Sequence, residues 1–178
     1  MEDSRLLQGF RAGSRTDFAS LVERHAREVY PFLVRVSGLE AAERLTQDVF
    51  AAAWRDAASY HSDRPVRLWL FSLAVKAAGS REGFDGRWEA ATRVELGRSP
   101  QPAEAAGRPT SEDLGGVVAL AVSELPFPQR VVLVLKTYRD FGIADLSATL
   151  DAPGDVVAAL LAAAFNSFIN RLRMRAAR

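Results

Sequence analysis

AERLTQDVFAAAWRDAASYHSDRPVRLWLFSLA, residues Ala42–Ala74, decides the fold class. Ala42, Leu45, Val49, Phe50, Ala53 and Trp54 recur at three- and four-residue steps, the spacing of one apolar face on an α-helix. Val66, Trp69, Leu70, Leu73, Ala74 and Ala77 repeat the pattern after Pro65, a residue whose fixed φ suits a first helical turn. Toward the N-terminus, Phe18, Leu21, Val22, His25, Val29, Phe32, Leu33 and Val36 predict another helix, with Thr16 or Asp17 as its cap and Gly38 as its end. A shorter helix over Arg5–Arg11 precedes it. No stretch alternates with period two, so no strand is expected and the chain reads as all-α.

The composition changes at Gly97–Asp113, GRSPQPAEAAGRPTSED. Three prolines, two glycines and no large apolar residue make this a flexible linker. It divides the chain into a helical domain over residues 1–96, a linker over 97–113, and a second helical domain over 114–178. In the second domain Ser111 can cap a helix that reaches Ser123. Pro126 and Pro128 bracket a break. Helices are expected over Gln129–Arg139, Ile143–Leu150, and Gly154 to about Arg173.

Net charge is +1, from 23 basic and 22 acidic residues, so bulk charge makes no claim on nucleic acid. Cysteine is absent, which excludes disulfides, thiolate catalysis and Cys-ligated zinc. The acidic start MEDSR has no apolar segment of the signal-peptide kind. The apolar run Val156–Phe165 is short of the roughly 20 residues that span a bilayer. A cytoplasmic protein without membrane contact is expected. His25 and His61 form no metal-binding spacing, and the Asp140, Asp145, Asp151 and Asp155 set lacks the calcium-loop pattern and reads as helix caps and a solvated face. No metal, cofactor or small-molecule substrate is expected. No nucleophile–base pair or phosphate loop supports an enzyme. Trp54, Trp69 and Phe71 read most simply as core, since aromatics at helical spacing bury large area whatever the function.

Two segments carry a family resemblance. In Ala42–Ala74 it rests on Leu45-Thr46-Gln47, Phe50, Ala53-Trp54-Arg55, Tyr60 and Trp69-Leu70-Phe71; in Ser123–Leu172 it rests on Leu125-Pro126, Arg130 and the helix-turn-helix outline that follows. Together they resemble a bacterial RNA polymerase sigma factor of the extracytoplasmic-function class. The resemblance implies two helical domains and three contacts. The helix bearing Arg44, Leu45, Thr46, Gln47, Asp48 and Phe50 would grip the clamp of core RNA polymerase. Tyr60, His61, Ser62, Asp63, Arg64, Arg67, Trp69 and Lys76 would meet the promoter −10 element, where a flipped base is captured. The last helix, through Val156, Val157, Ala158, Ala159, Leu160 and Ala163, would meet the −35 element or a protein. An anti-sigma factor is a further partner the resemblance implies.

The chain departs from that family at each contact. Arg44 stands where the family usually carries Asp. The basic run after Trp69-Leu70-Phe71 is replaced by SREGFDGR, with Arg81 and Arg87 offset by Glu82 and Asp85. The reading helix, GDVVAALLAAAFNSFIN, has Asp155 as its only charge, and Ala158, Leu160 and Ala163 fall at the family's basic positions. A helix that reads DNA needs cations for phosphates and hydrogen-bonding groups for base edges. The cationic segment Arg171–Arg178 follows, but the helix macrodipole alone favours a cationic C-terminal end. Two functions stay open: a sigma factor with weak or altered −35 reading, and a sigma-like regulator that binds an anti-sigma factor or polymerase without reading DNA.

Overall fold

The computed structural model describes residues 2–57, 60, 64–96 and 114–176. Among these residues there are nine helices and no strand: α1 (Glu2–Arg11), α2 (Arg15–Ser37), α3 (Leu39–Asp56), α4 (Val66–Glu82), α5 (Trp88–Leu96), α6 (Leu114–Ser123), α7 (Phe127–Arg139), α8 (Ile143–Leu150) and α9 (Gly154–Ala176). The chain divides into two compact units. One is Met1–Gly86 with Ala148–Asp151; the other is Arg87–Ser147 with Ala152–Arg178.

In the first unit α2 packs against α1, α3 and α4, and α3 packs against α4. Leu21, Val29, Phe32, Leu33 and Val36 of α2 are fully buried, as are Ala42, Val49 and Ala53 of α3 and Leu70, Phe71 and Ala74 of α4. The edge-to-face pair Phe32–Phe71, with centroids 5.3 Å apart, ties α2 to α4. The cap of α2 is Ser14, not Thr16 or Asp17: its hydroxyl accepts the Asp17 N–H at 3.2 Å. Gly38 ends α2 as expected, with a φ of 84° that favours glycine, and its N–H donates to the Val34 carbonyl. α1 is fastened by ions. Asp3 accepts from Arg24 at 3.1 Å and lies 3.0 Å from Nε2 of the buried His25.

In the second unit α9 packs against α5, α6 and α7. Val131, Val132, Val134 and Leu135 of α7, Leu146 of α8, and Leu160 and Ala164 of α9 have no exposure. Asp140 closes α7 in the left-handed region at φ 55°, and Asp151 follows α8 at φ 52°. Short polar side chains tolerate that conformation, so these aspartates do punctuate helices. Asp145 accepts the Gly142 N–H at 3.0 Å, at the start of α8.

One expectation about organisation changes. The first domain does not run to residue 96. α5, unforeseen from the sequence, packs on α9 and belongs to the second unit, so the division falls between Gly86 and Arg87. The linker read over 97–113, and Ser111 within it, lie outside the described residues. α9 starts at Gly154 as expected and ends three residues past Arg173. By length and composition alone Gly154–Arg175 could cross a membrane. It carries Asp155, Arg171, Arg173 and Arg175, however, and buries one face against three helices of its own unit.

Candidate functional site

α3 presents two faces with different chemistry. Ala41, Ala42, Leu45, Val49, Phe50 and Ala53 point inward and are buried. Glu40, Glu43, Arg44, Gln47, Asp48, Ala51 and Arg55 are exposed. The segment Arg44–Phe50 is therefore split. Arg44, Gln47 and Asp48 are open to a partner, whereas Leu45 and Phe50, each 6% exposed, hold the helix in place. Thr46 is half-buried and its hydroxyl donates to the Ala42 carbonyl at 2.7 Å, one turn back. Arg44 stands one turn from both Glu40 and Asp48, so the outward strip mixes signs at helical spacing.

Trp54 corrects an expectation. It is not core: 44% of it is exposed. One side of its ring rests on Phe10 at 4.7 Å and Phe18 at 4.9 Å, so α1, α2 and α3 meet at an aromatic cluster that opens to solvent. Trp69 and Phe71 are buried, as expected of core.

The loop before α4 is bound up with its own chain. Tyr60 is buried, its hydroxyl donates to the Arg64 carbonyl, and its ring lies 5.2 Å from Trp69. A guanidinium N–H of Arg64 donates to the Leu68 carbonyl at 3.2 Å. Arg67 pairs with Glu28 at 2.8 Å and sits over the Phe71 ring at 5.7 Å. Tyr60 and Trp69 are thus not open to a flipped base in this arrangement; their rings serve the core. Of the expected −10 residues, Lys76 is exposed, and His61, Ser62 and Asp63 lie outside the described residues.

α9 sorts its residues by face, and the sorting overturns part of the sequence expectation. Leu160 has no exposure and Val157 has 1%, so neither can reach a DNA groove. Val156, Ala159 and Ala163 are half-buried, and only Ala158 of the six expected contacts is exposed. The open face is made by Asp155, Ala158, Ala162, Phe165, Asn166 and Ile169, with Arg173 and Met174 exposed near its C-terminal end. Ala162, Phe165, Asn166 and Ile169 were missed as outward positions. A helix apolar on all sides gives no phase from which to find its outward face. Part of that apolar character is explained by α5, which turns the buried Trp88 and Thr92 inward as it packs on α9. The cationic end is partly committed as well: Arg175 pairs with Glu124, and Arg171 lies 3.7 Å from it.

Comparison with known proteins agrees with this geometry. Residues 21–81, which span most of α2, all of α3 and nearly all of α4, match the family model for sigma-70 region 2. An ECF RNA polymerase sigma factor, SigM of Mycobacterium tuberculosis (strain ATCC 25618 / H37Rv), is 29% identical over 154 residues, covering 83% of this chain and 73% of its own. Two solved structures share the fold. The structure of CnrH with the cytosolic domain of CnrY superposes with a TM-score of 0.68 at 22% identity, covering 95% of this chain and 96% of that one. The structure of the sigma factor RpoE with the anti-sigma factor NepR from Bartonella quintana gives 0.64 at 20% identity, covering 88% and 96%. The motif-bearing helices, the matched region and the relatives converge: residues 21–81 match sigma-70 region 2, and over most of its length the chain is similar to RNA polymerase sigma factors of the extracytoplasmic-function class.

Proposed function

We propose that this protein is an RNA polymerase sigma factor whose promoter recognition rests on its first unit, with weak −35 reading by the second. It makes and breaks no bond. Its work is to lend polymerase a sequence-reading surface, which suits a chain of two helical units that lacks any nucleophile–base motif. The observation that carries the reading is α3: inside the matched region, its core face is kept while Arg44, Gln47 and Asp48 stand outward for a polymerase clamp. Exposed Lys76 on α4 and residues 61–63 are the groups we assign to −10 DNA.

Weak −35 reading is supported by the open face of α9. Over its first three turns Asp155, Ala158, Ala162 and Asn166 offer one amide and no cation; the exposed Arg173 stands at the far end. Non-specific affinity for DNA comes mainly from phosphate neutralisation, and base discrimination from bidentate hydrogen bonds worth about 1–3 kcal/mol each. Asn166 alone could supply one such pair. Partners of the protein are core polymerase and promoter DNA, in the cytoplasm where both reside. An anti-sigma factor is a further proposed partner, because the similar RpoE structure was determined with one bound.

The test mixes the full chain with core polymerase and measures co-elution, then transcription from a randomised promoter library. Co-elution is expected, with selected promoters alike at −10 and loosely constrained at −35. No co-elution and no transcript would sink the sigma-factor reading. Strong −35 selection would remove the weak-reading part alone.

A further inference from the structure

α9 buries one side and leaves a line of apolar groups open along the other. Val157, Leu160, Leu161 and Ala164 are buried, and the helix packs against α5, α6 and α7 of its own unit. On the opposite side Ala158, Ala162, Phe165 and Ile169 are exposed, Phe165 by 37% and Ile169 by 41%, and Leu172 beyond them is half-buried. These positions follow steps of four, three, four and three residues. That is the heptad spacing of a seam along which two helices pack, narrower than the stripe of a helix lying on a core. The seam is graded in size: alanines occupy its N-terminal half and Phe165, Ile169 and Leu172 its C-terminal half. It is graded in charge as well, with exposed Asp155 beside its start and exposed Arg173 beside its end.

We propose that this seam docks a second copy of the chain, α9 against α9, antiparallel about a two-fold axis near Ala163 and Ala164. Antiparallel pairing sets each Ala158 against Ile169 of the other copy, and each Ala162 against its Phe165. Every such layer then puts a small side chain opposite a large one, which lets the helix axes approach to the close end of the roughly 8–10 Å range of packed helices. The same register brings Asp155 beside the turn that carries Arg173 of the other copy, at both ends of the pair. Parallel pairing does the reverse. It faces Phe165 with Phe165, leaves the alanines opposed across a gap, and sets Arg173 against Arg173. Size and charge therefore select one occupant, a second α9 running the other way. The exposed Met174 lies off the seam, about 140° round the helix from Ile169 at 3.6 residues per turn. A single pair of helices stands at the low end of stable interface sizes, so association in the micromolar range is expected. The pairing rests on α9 alone and stands whether or not that face meets DNA.

Sedimentation velocity of the full chain across the micromolar range reads the oligomeric state, and a monomer–dimer equilibrium is expected. Ile169→Glu and Ala162→Glu each place a carboxylate in the seam at an exposed position. Each should weaken dimerisation about tenfold or more, because the charge would be buried unpaired in the pair, with helix content by circular dichroism unchanged. Asp155→Arg and Arg173→Asp alone should each weaken it several-fold, and the double variant should return it to near the native value, because the swapped charges meet again across the axis. A chain that stays monomeric throughout overturns the proposal. So does a dimer that both glutamate variants leave intact, since the contact would then lie elsewhere. A double variant weaker than either single one overturns the antiparallel register, and with it the fit of size and charge that selects a second copy.

Discussion

α3 and α9 are both long helices with one buried face, and they differ on the other. α3 turns Glu40, Glu43, Arg44, Gln47, Asp48 and Arg55 to solvent; α9 turns Ala158, Ala162, Phe165, Asn166 and Ile169. The first is a surface with charges to match against a partner. The second, the helix proposed to meet the −35 element, offers mostly apolar groups over the same span. Burial of Val157, Leu160 and Ala164 holds α9 in place and is indifferent to what stands on its far side. The fold therefore does not dictate the chemistry of its open faces.

The comparison breaks most visibly inside α9. Leu160→Arg puts a cation in the core and should destabilise the second unit by about 4 kcal/mol, whereas Ala158→Arg on the open face should cost under about 0.5 kcal/mol. Urea melts followed by circular dichroism measure both. Equal losses would mean that the two faces are assigned wrongly.

Next in size is a gain of function. Ala158→Lys with Ala162→Arg and Asn166→Arg places three cations on the open face. DNA affinity should rise, and its logarithm should steepen against log salt by up to about 0.9 for each phosphate neutralised. Titration at several salt concentrations reads the slope. An unchanged slope would show that this face does not meet a phosphate backbone.

α3 is sharpened by Arg44→Asp. Three carboxylates would then stand at one-turn spacing with Glu40 and Asp48, which costs the helix a few tenths of a kcal/mol per like-charge pair. Against a basic clamp surface the change should tighten polymerase binding by about 1 kcal/mol, or roughly fivefold. Weaker binding, measured by fluorescence anisotropy with core polymerase, would mean that Arg44 already faces an acidic partner group.

The last is a control on both faces, expected to leave every affinity where it was. Ser14→Ala removes the cap of α2 and should lower the stability of the first unit by about 1 kcal/mol while leaving polymerase and DNA affinities unchanged. A matching change in affinity would show that stability, not the faces, governs the other results.

Much of the helix plan is legible in the chain's periodicity and punctuation. α8 has the bounds its periodicity suggested, and α4 follows Pro65. α2 starts at Arg15 because Ser14 reaches the Asp17 N–H, a choice that Thr16 and Asp17 obscured in sequence. Of the contact residues, those on the amphipathic α3 could be phased, because Leu45, Val49 and Phe50 mark its inner side. Those on α9 could not, because Leu160, Leu161 and Ala162 look alike to a pattern. Trp54 misled for a related reason. Its spacing fits the core face, and only the positions of Phe10 and Phe18 show that the ring rests on the rim of a cluster.

The sequence alone determined that the chain is helical, roughly where most of its helices lie, and which family its motifs resemble. These are local properties: periodicity, caps and proline positions act within a few residues. Tertiary structure alone decided which side of α9 is buried, that Tyr60 and Trp69 turn to each other, and that α5 joins the second unit. Each of those outcomes depends on which surfaces meet across long sequence separations, and apolar burial rewards any such meeting without direction. Periodicity records that a residue is to be buried; only the packed neighbours decide against what.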